Sequence, residues 1–380
     1  MINRPRLIQT LQKVVSYNSE NPPGNELVLS RFIAQDMRSL GLDVKLYSFA
    51  KNRPNVIVTL KGTFEREKAQ KQALLITPHI DTVPAGKGWK YHPLSGTISG
   101  GKIYGRGTSD DKGNLASCME VMRGLVEDKI KLRKDVILAA TVDEETGSHY
   151  GIKPLLDKKI LRPKIALVLD SDEGDAIVAQ KGLMHIRIQI FGKKAHGAYN
   201  WKGVNAIEIA TKIITQLKQM AFKYKKHPLL RPPTVNIGTI KGGDKVNIVA
   251  DFCEFSVDIR YLPGMNPRNI LKEVKHIIRK YISKFKILVD DLQFPYEISA
   301  ENSAVKLYVE TIRKYGLKGK LKGSEGATVI TFFQEHKIPA FASGFSASGT
   351  AHATDEFIRM NTLYKGTKAL EAFIKEYDKK

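Results

Sequence analysis

The chain has 380 residues, 42% hydrophobic and 26% charged, which supplies a core and excludes disorder as the main state. Two cysteines, Cys118 and Cys253, exclude a disulfide scaffold or cysteine-rich zinc finger and fit a cytoplasmic protein. Lys and Arg total 61 against 39 Asp and Glu, a net charge of +22, but the lysines are scattered and no nucleic-acid motif accompanies them. The charge reads first as a solvated lysine-rich face, and a middle reading is that its field attracts carboxylate-bearing substrates. The N-terminal stretch does not read as a secretory signal. No apolar run approaches the ~20 residues that span a bilayer. Neither a nucleic-acid nor a membrane partner is expected.

Leu7, Leu11, Val14 and Val15 recur at helical spacing, as do Leu27, Val28, Phe32, Ile33 and Met37, with Gly41 as a helix stop. Asn21-Pro22-Pro23-Gly24 between them is a loop by composition. Short apolar runs at 55–58, 73–76, 136–139 and 165–169 predict buried strands, and a helical pattern runs from about Leu115 to Val126. Buried strands alternating with helices predict an α/β domain with a mostly parallel sheet flanked by helices.

From about Lys181 the texture changes. Residues 184–190 alternate polar and apolar, the pattern of a half-exposed strand. Ala206, Ile209, Ile213, Ile214 and Leu217 predict a helix, 235–240 and 252–259 strands, and 270–281 a second helix. Two helices on an antiparallel sheet make an α+β unit, expected at 181–293. Residues 327–333, 340–342 and a final helix from Leu363 return to α/β texture. The expected architecture is a catalytic domain of 1–180 and 294–380 interrupted by an inserted domain of 181–293.

The chemistry-bearing residues follow the predicted strands. The run at 74–78 leads to His79-Ile80-Asp81, the run at 136–142 to Asp143-Glu144-Glu145-Thr146-Gly147, and the run at 165–169 to Asp170. Gly105-Arg106-Gly107-Thr108-Ser109-Asp110-Asp111-Lys112-Gly113 lies between the first two. Ligands of open parallel sheets gather beyond the carboxyl ends of the strands. Each element alone has an ordinary structural explanation. Together they converge several carboxylates and imidazoles, which need a counter-charge that a divalent metal supplies. Imidazole and carboxylate without thiolate suit zinc, cobalt or manganese. Two metals sharing one carboxylate, roughly 3.5–4 Å apart, would activate a bridging water and polarise a carbonyl. A free carboxylate must then carry the proton, and adjacent Glu144 and Glu145 allow one to bind metal while the other stays free.

These motifs, with Asn21-Pro22-Pro23-Gly24 and His352-Ala353-Thr354-Asp355-Glu356, resemble the zinc-dependent aminoacylase and carboxypeptidase family over nearly the whole chain. That family includes acetylornithine deacetylase, succinyl-diaminopimelate desuccinylase and glutamate carboxypeptidase. The resemblance implies two zinc ions, with cobalt or manganese as substitutes. His79 and Asp170 would hold one, Glu145 and His352 the other, and Asp110 would bridge them, next to a cis Asp110–Asp111 peptide. Glu144 would be general base and then acid, and Asp81 would orient His79. Asp172 and Glu173 lie close to Asp170, which is preferred because it ends the strand and keeps the family's distance to Lys181-Gly182.

The inserted domain resembles the family's lid and dimerisation domain, which implies a homodimer. Gly192-Lys193-Lys194-Ala195-His196-Gly197 resembles the segment whose histidine steadies the oxyanion. Asn247 and Arg260 sit where the family surrounds the substrate carboxylate, a task to which Arg is well shaped. Relatives often carry Gly-Gly-Thr-Asp or Thr-Ser-Asp-Gly late in the chain. Here the stretch is Gly323-Ser324-Glu325-Gly326-Ala327, with Glu325 at the acidic, substrate-contacting position. The expected activity is hydrolysis of the amide of an N-acyl amino acid, with a dipeptidase or carboxypeptidase as the alternative on the same site.

Overall fold

Four runs of apolar sequence form the centre of the principal sheet in the computed structural model, which describes residues 1–380. Seven of that sheet's nine strands are β1 (Asp43–Ser48), β2 (Pro54–Leu60), β3 (Leu74–Thr77), β4 (Val136–Ala140), β5 (Ile165–Leu169), β6 (Ala176–Gln180) and β7 (Ala340–Ser343). Their order is β1-β2-β4-β3-β5-β7-β6. The central four, β4, β3, β5 and β7, are mutually parallel. The parallel expectation therefore holds at the centre, while β1–β2, β2–β4 and β7–β6 pair antiparallel. The short 49–53 connection imposes this on β1–β2, because a parallel pair needs a crossover of a dozen or more residues. Every residue of β3 and β5 is buried, as strands covered on both faces must be.

Helix Arg4–Val15 buries Leu7, Leu11, Val14 and Val15 as the spacing predicts. Helix Leu27–Ser39 differs by one stripe. It buries Leu29, Ile33 and Met37, whereas Val28 is 57% exposed. Gly41 ends it at φ 77°, a left-handed conformation open to glycine. Helix Lys112–Glu127 is buried almost all round, packed against Arg4–Val15 and Met360–Lys379.

The chain divides into two compact units. One holds Met1–Val178, Ile298–Lys322 and Phe332–Lys380, and the other Ala179–Glu297 with Gly323–Thr331. The second contains an antiparallel sheet ordered Thr234–Gly242, Phe252–Tyr261, Gly182–Phe191, Phe285–Gln293. Helices Ala206–Lys218 and Pro267–Arg279 cover one face, closing a core that includes Met184, Ile186, Ile188, Ile213, Phe255, Val257 and Val274. Asn205 and Asn266 cap the two helices through side-chain oxygens.

Two features depart from the sequence reading. Strand Phe285–Gln293 is absent from the predicted elements, and its alternation is broken where the register shifts between Val289 and Asp291. Segment Gly323–Thr331, expected with the first domain, groups with the second. Glu325 pairs with buried Lys181 at 2.6 Å, and Thr328 donates to Gln180 Oε1 through both its amide and its hydroxyl. No helix is long and apolar enough to cross a membrane.

Candidate metal centre

The carboxyl ends of β3, β4 and β5 deliver imidazoles and carboxylates to one place, because parallel strands end on the same side of a sheet. His79 follows β3 and its backbone continues the pairing through a bridge to Thr141. Its ring is buried, with Nε2 2.8 Å from Asp110 Oδ1. On the other side of the ring, Nδ1 lies 3.0 Å from the Asp81 carbonyl oxygen and 3.4 Å from its carboxylate. His352 Nε2 lies 3.1 Å from Asp110 Oδ2 and 3.1 Å from Glu145 Oε2. Asp110 thus offers one oxygen to each histidine. The ligand atoms of His79, Asp110 and Glu145 lie within 4.8 Å of one another, as do those of His79, Glu144 and Asp170. The Asp110–Asp111 peptide is cis.

Seven of the sequence-derived candidates, His79, Asp81, Asp110, Glu144, Glu145, Asp170 and His352, therefore meet in the first unit. The alternatives to Asp170 do not join them. Glu173 pairs with Lys318 and, at 3.3 Å, with Arg359, and Asp172 bonds Ser348.

Residues not anticipated from sequence brace the cluster. Asp81 accepts hydrogen bonds from the amides of Glu144 and Glu145, each at 3.1 Å, and from Asn21 Nδ2 at 2.8 Å. The Asn-Pro-Pro-Gly loop thus reaches the acidic turn. Asp143 precedes that turn in the left-handed region at φ 67°. Its carboxylate accepts from Arg53 at 2.9 Å, Thr146 Oγ1 at 2.6 Å and the Tyr150 amide at 3.0 Å. Arg53 is itself paired with fully buried Glu26. Asp111 accepts from the His79 amide at 3.1 Å and from Asn114 Nδ2 at 2.6 Å.

The electrostatics follow from crowding. Burial opposes a proton on His79, yet hydrogen bonds to Asp110 and Asp81 prevail and raise its pKa. Burial would raise Asp110, but His352 and His79 hold it below the usual carboxylate range. His352 is raised to about 10 by Asp110 and Glu145. Asp170 is pushed up to about 7 by burial and then by the charge of Asp110. Glu144 is pushed well above its ordinary value by burial and then by Asp170. Burial and then carboxylate crowding raise Glu144 and Asp170 even though Asp110 is lowered, so the cluster is short of positive charge. A divalent cation supplies it, and the imidazole and carboxylate donor set suits one.

The remaining candidates belong to the second unit. His196 is exposed, and its Nδ1 accepts from the Ala198 amide at 3.1 Å. Asn247 is a neighbour through the backbone, since its carbonyl accepts from the Gly197 amide at 2.8 Å. Arg260 is engaged with Asp258, two residues before it on the same strand face, at 2.9 Å. Glu325, read from sequence as a substrate contact, is held by Lys181 and by the Arg231 amide at 2.9 Å. Lys181 is 1% exposed and needs that counter-charge.

Residues 75–376 match the family described as Peptidase family M20/M25/M40. The acetylornithine deacetylase of Proteus mirabilis is 28% identical over 94% of this chain and 93% of its own length. That of Yersinia pestis is 31% identical over 76% of this chain and 74% of its own. Among solved structures, a tripeptidase from Staphylococcus aureus superposes with a TM-score of 0.83 at 26% identity, covering 100% of both chains. Aminopeptidase PepT from Bacillus cereus gives 0.83 at 26% over 99% of each. The YXEP protein of Bacillus subtilis, described as a dinuclear metal-binding peptidase, gives 0.73 at 16% over 98% of this chain and 97% of that one. The chain belongs to the M20/M25/M40 family of peptidases.

Proposed function

We propose that the protein is a dinuclear zinc hydrolase that removes the acyl group, acetyl or succinyl, from an N-acyl amino acid. The observation that carries this reading is Asp110, with one oxygen facing His79 and the other facing His352. In this reading His79 and Asp170 hold one ion, Glu145 and His352 the other, and Asp110 both. Bound zinc would supply Lewis acidity, lowering the pKa of a water and polarising the scissile carbonyl. Cobalt or manganese suits the same donors.

The protein's own groups do the rest. Glu144 is a carboxylate whose pKa burial raises, which makes it a better proton acceptor than a solvated glutamate. It takes a proton from the attacking water as the oxygen–carbon bond forms. It returns that proton to the nitrogen as the carbon–nitrogen bond breaks, releasing the acid and the amine. His196, exposed and free at Nε2 to donate, steadies the oxyanion. Arg260 exchanges Asp258 for the substrate carboxylate, and Asn247 flanks it.

The acetylornithine deacetylases of the curated comparisons support a deacylase. The tripeptidase and aminopeptidase structures favour a second reading, cleavage of short peptides by the same groups. A homodimer suits the exposed Tyr199, Val204 and Trp201 beside His196, and two free buried cysteines suit a cytoplasmic setting. The test is a panel of acetyl-, succinyl- and formyl-amino acids beside di- and tripeptides, with zinc- or cobalt-loaded protein. Turnover of acyl amino acids alone supports the deacylase. Turnover of peptides alone replaces it with the peptidase.

A further inference from the structure

We infer that Glu356 and Arg106 form a positioning strap that holds Asp110 and His352 in register for metal. The inference rests on the metal site proposed above. Glu356 is fully buried and its carboxylate is saturated by one loop. Oε1 accepts from the amides of Ser109 at 2.7 Å and Asp110 at 2.9 Å. Oε2 accepts from the Gly107 amide at 3.1 Å and Arg106 Nη1 at 2.6 Å. The Glu356 carbonyl takes the Gly105 amide at 2.9 Å. A single residue therefore gathers the donors of the stretch that ends in Asp110.

Arg106 closes the loop in the other direction. Its Nη2 donates to the His352 carbonyl at 3.3 Å, and its guanidinium lies 5.1 Å above the Trp89 ring. The His352 backbone needs such a hold. His352 has φ 62° and Asp355 φ 55°, both in the left-handed region that costs a side-chain-bearing residue energy. Asp355 is tied separately, accepting from the Lys90 amide at 2.9 Å. His352 itself is half exposed, with little packing of its own to fix it. The two histidine-facing oxygens of Asp110 meet their partners only if the 105–110 loop and the 352–356 segment stay in register. Lys102–Tyr104 and Phe357–Arg359 pair antiparallel beside them. Beyond that pairing, the contacts between 105–110 and 352–356 are made by Glu356, Arg106 and the His352–Asp110 pair itself.

The test compares wild type with Glu356→Gln and Arg106→Lys. Glutamine keeps one oxygen for the Ser109 and Asp110 amides but turns an NH2 toward Gly107 and Arg106. Lysine keeps a charge for Glu356 and loses the fork that reaches His352. The readouts are Co2+ affinity from visible absorption, bound-metal stoichiometry, and melting temperature with and without Co2+. Groups that orient metal ligands typically change affinity 10–100-fold. We expect Glu356→Gln to weaken Co2+ binding by at least tenfold, and Arg106→Lys by less. The melting increment produced by Co2+ should shrink in both, a change that a purely structural loss in the metal-free protein would not produce. If a variant fails to fold, the other carries the comparison. Folded variants binding Co2+ within twofold of wild type would overturn the strap and leave the metal site standing. Wild-type protein that binds no Co2+ would overturn the metal reading and this inference together.

Discussion

Asp81 and Glu145 are joined through the backbone: Asp81 Oδ2 accepts the Glu145 amide at 3.1 Å, while Oδ1 accepts that of Glu144 at the same distance. The aspartate that faces His79 therefore also sets the turn presenting both glutamates. Asp81→Ala removes those acceptors and the anion beside His79. We expect metal affinity to fall about 10–100-fold, as for other groups behind a ligand. Competition with a chromogenic chelator measures it, and an unchanged affinity would refute the role.

Glu144→Gln tests the proton carrier. The side chain keeps its size, and the His79–Asp110–His352 arrangement does not depend on it. Metal stoichiometry should be unchanged while kcat falls about 10²–10⁴-fold, the usual contribution of a positioned acid or base. A variant with near wild-type kcat would remove Glu144 from the mechanism.

Arg53→Met tests the buried brace. Arg53 lies between Glu26 and Asp143, with side-chain exposures of 9%, 0% and 2%. Removing the cation leaves fully buried Glu26 without its counter-ion, while Asp143 keeps only neutral donors, among them Thr146 Oγ1 and the Tyr150 amide. Breaking such a buried pair costs about 3–5 kcal/mol. Urea unfolding of the metal-free protein should show a loss of that order. Loss below about 1 kcal/mol would mean that water or another donor replaces the guanidinium.

His352 and Asp170 give the metal site of the metal-free protein a pH dependence of one sign, against the opposite contribution of buried Lys112, lowered to about 7. His352 is raised from 6.5 to about 10, so its contribution to stability is complete below about 6.5 and disappears as pH rises through 10. Asp170 is raised from 3.8 to about 7, so a penalty on folding builds up as pH climbs from near 4 to about 7 and is constant above that. In both cases the folded state binds the extra proton, and both contributions fall as pH rises. Metal must displace those protons, so its affinity should increase over the same range. Melting curves and Co2+ titrations from pH 5 to 9 check both signs. A metal affinity that fell with pH would contradict the ligand set.

Legibility in the sequence followed the range of the interaction. Buried strands wrote themselves as continuous apolar runs, and His79, Glu144 and Asp170 each came just after one. Helix faces were legible to within one stripe, as Val28 and Leu29 demonstrate. Phe285–Gln293 was not legible, because a register shift breaks the alternation. The fate of Glu325 was not legible either, because its motif position implied substrate contact while Lys181, remote in sequence, claims it.

By itself, the sequence determined the α/β class, the inserted antiparallel unit and the residue types available for metal chemistry. Local periodicity and short motifs encode these within a few residues. Only the tertiary structure decided that Asp110 lies between His79 and His352, that Arg53 joins Glu26 to Asp143, and that Glu356 closes on the loop before Asp110. Those partners are far apart along the chain, up to 246 positions for Glu356 and Asp110. Buried charges with such distant partners leave no periodic trace, and they pair only when the sheet brings its strand ends together.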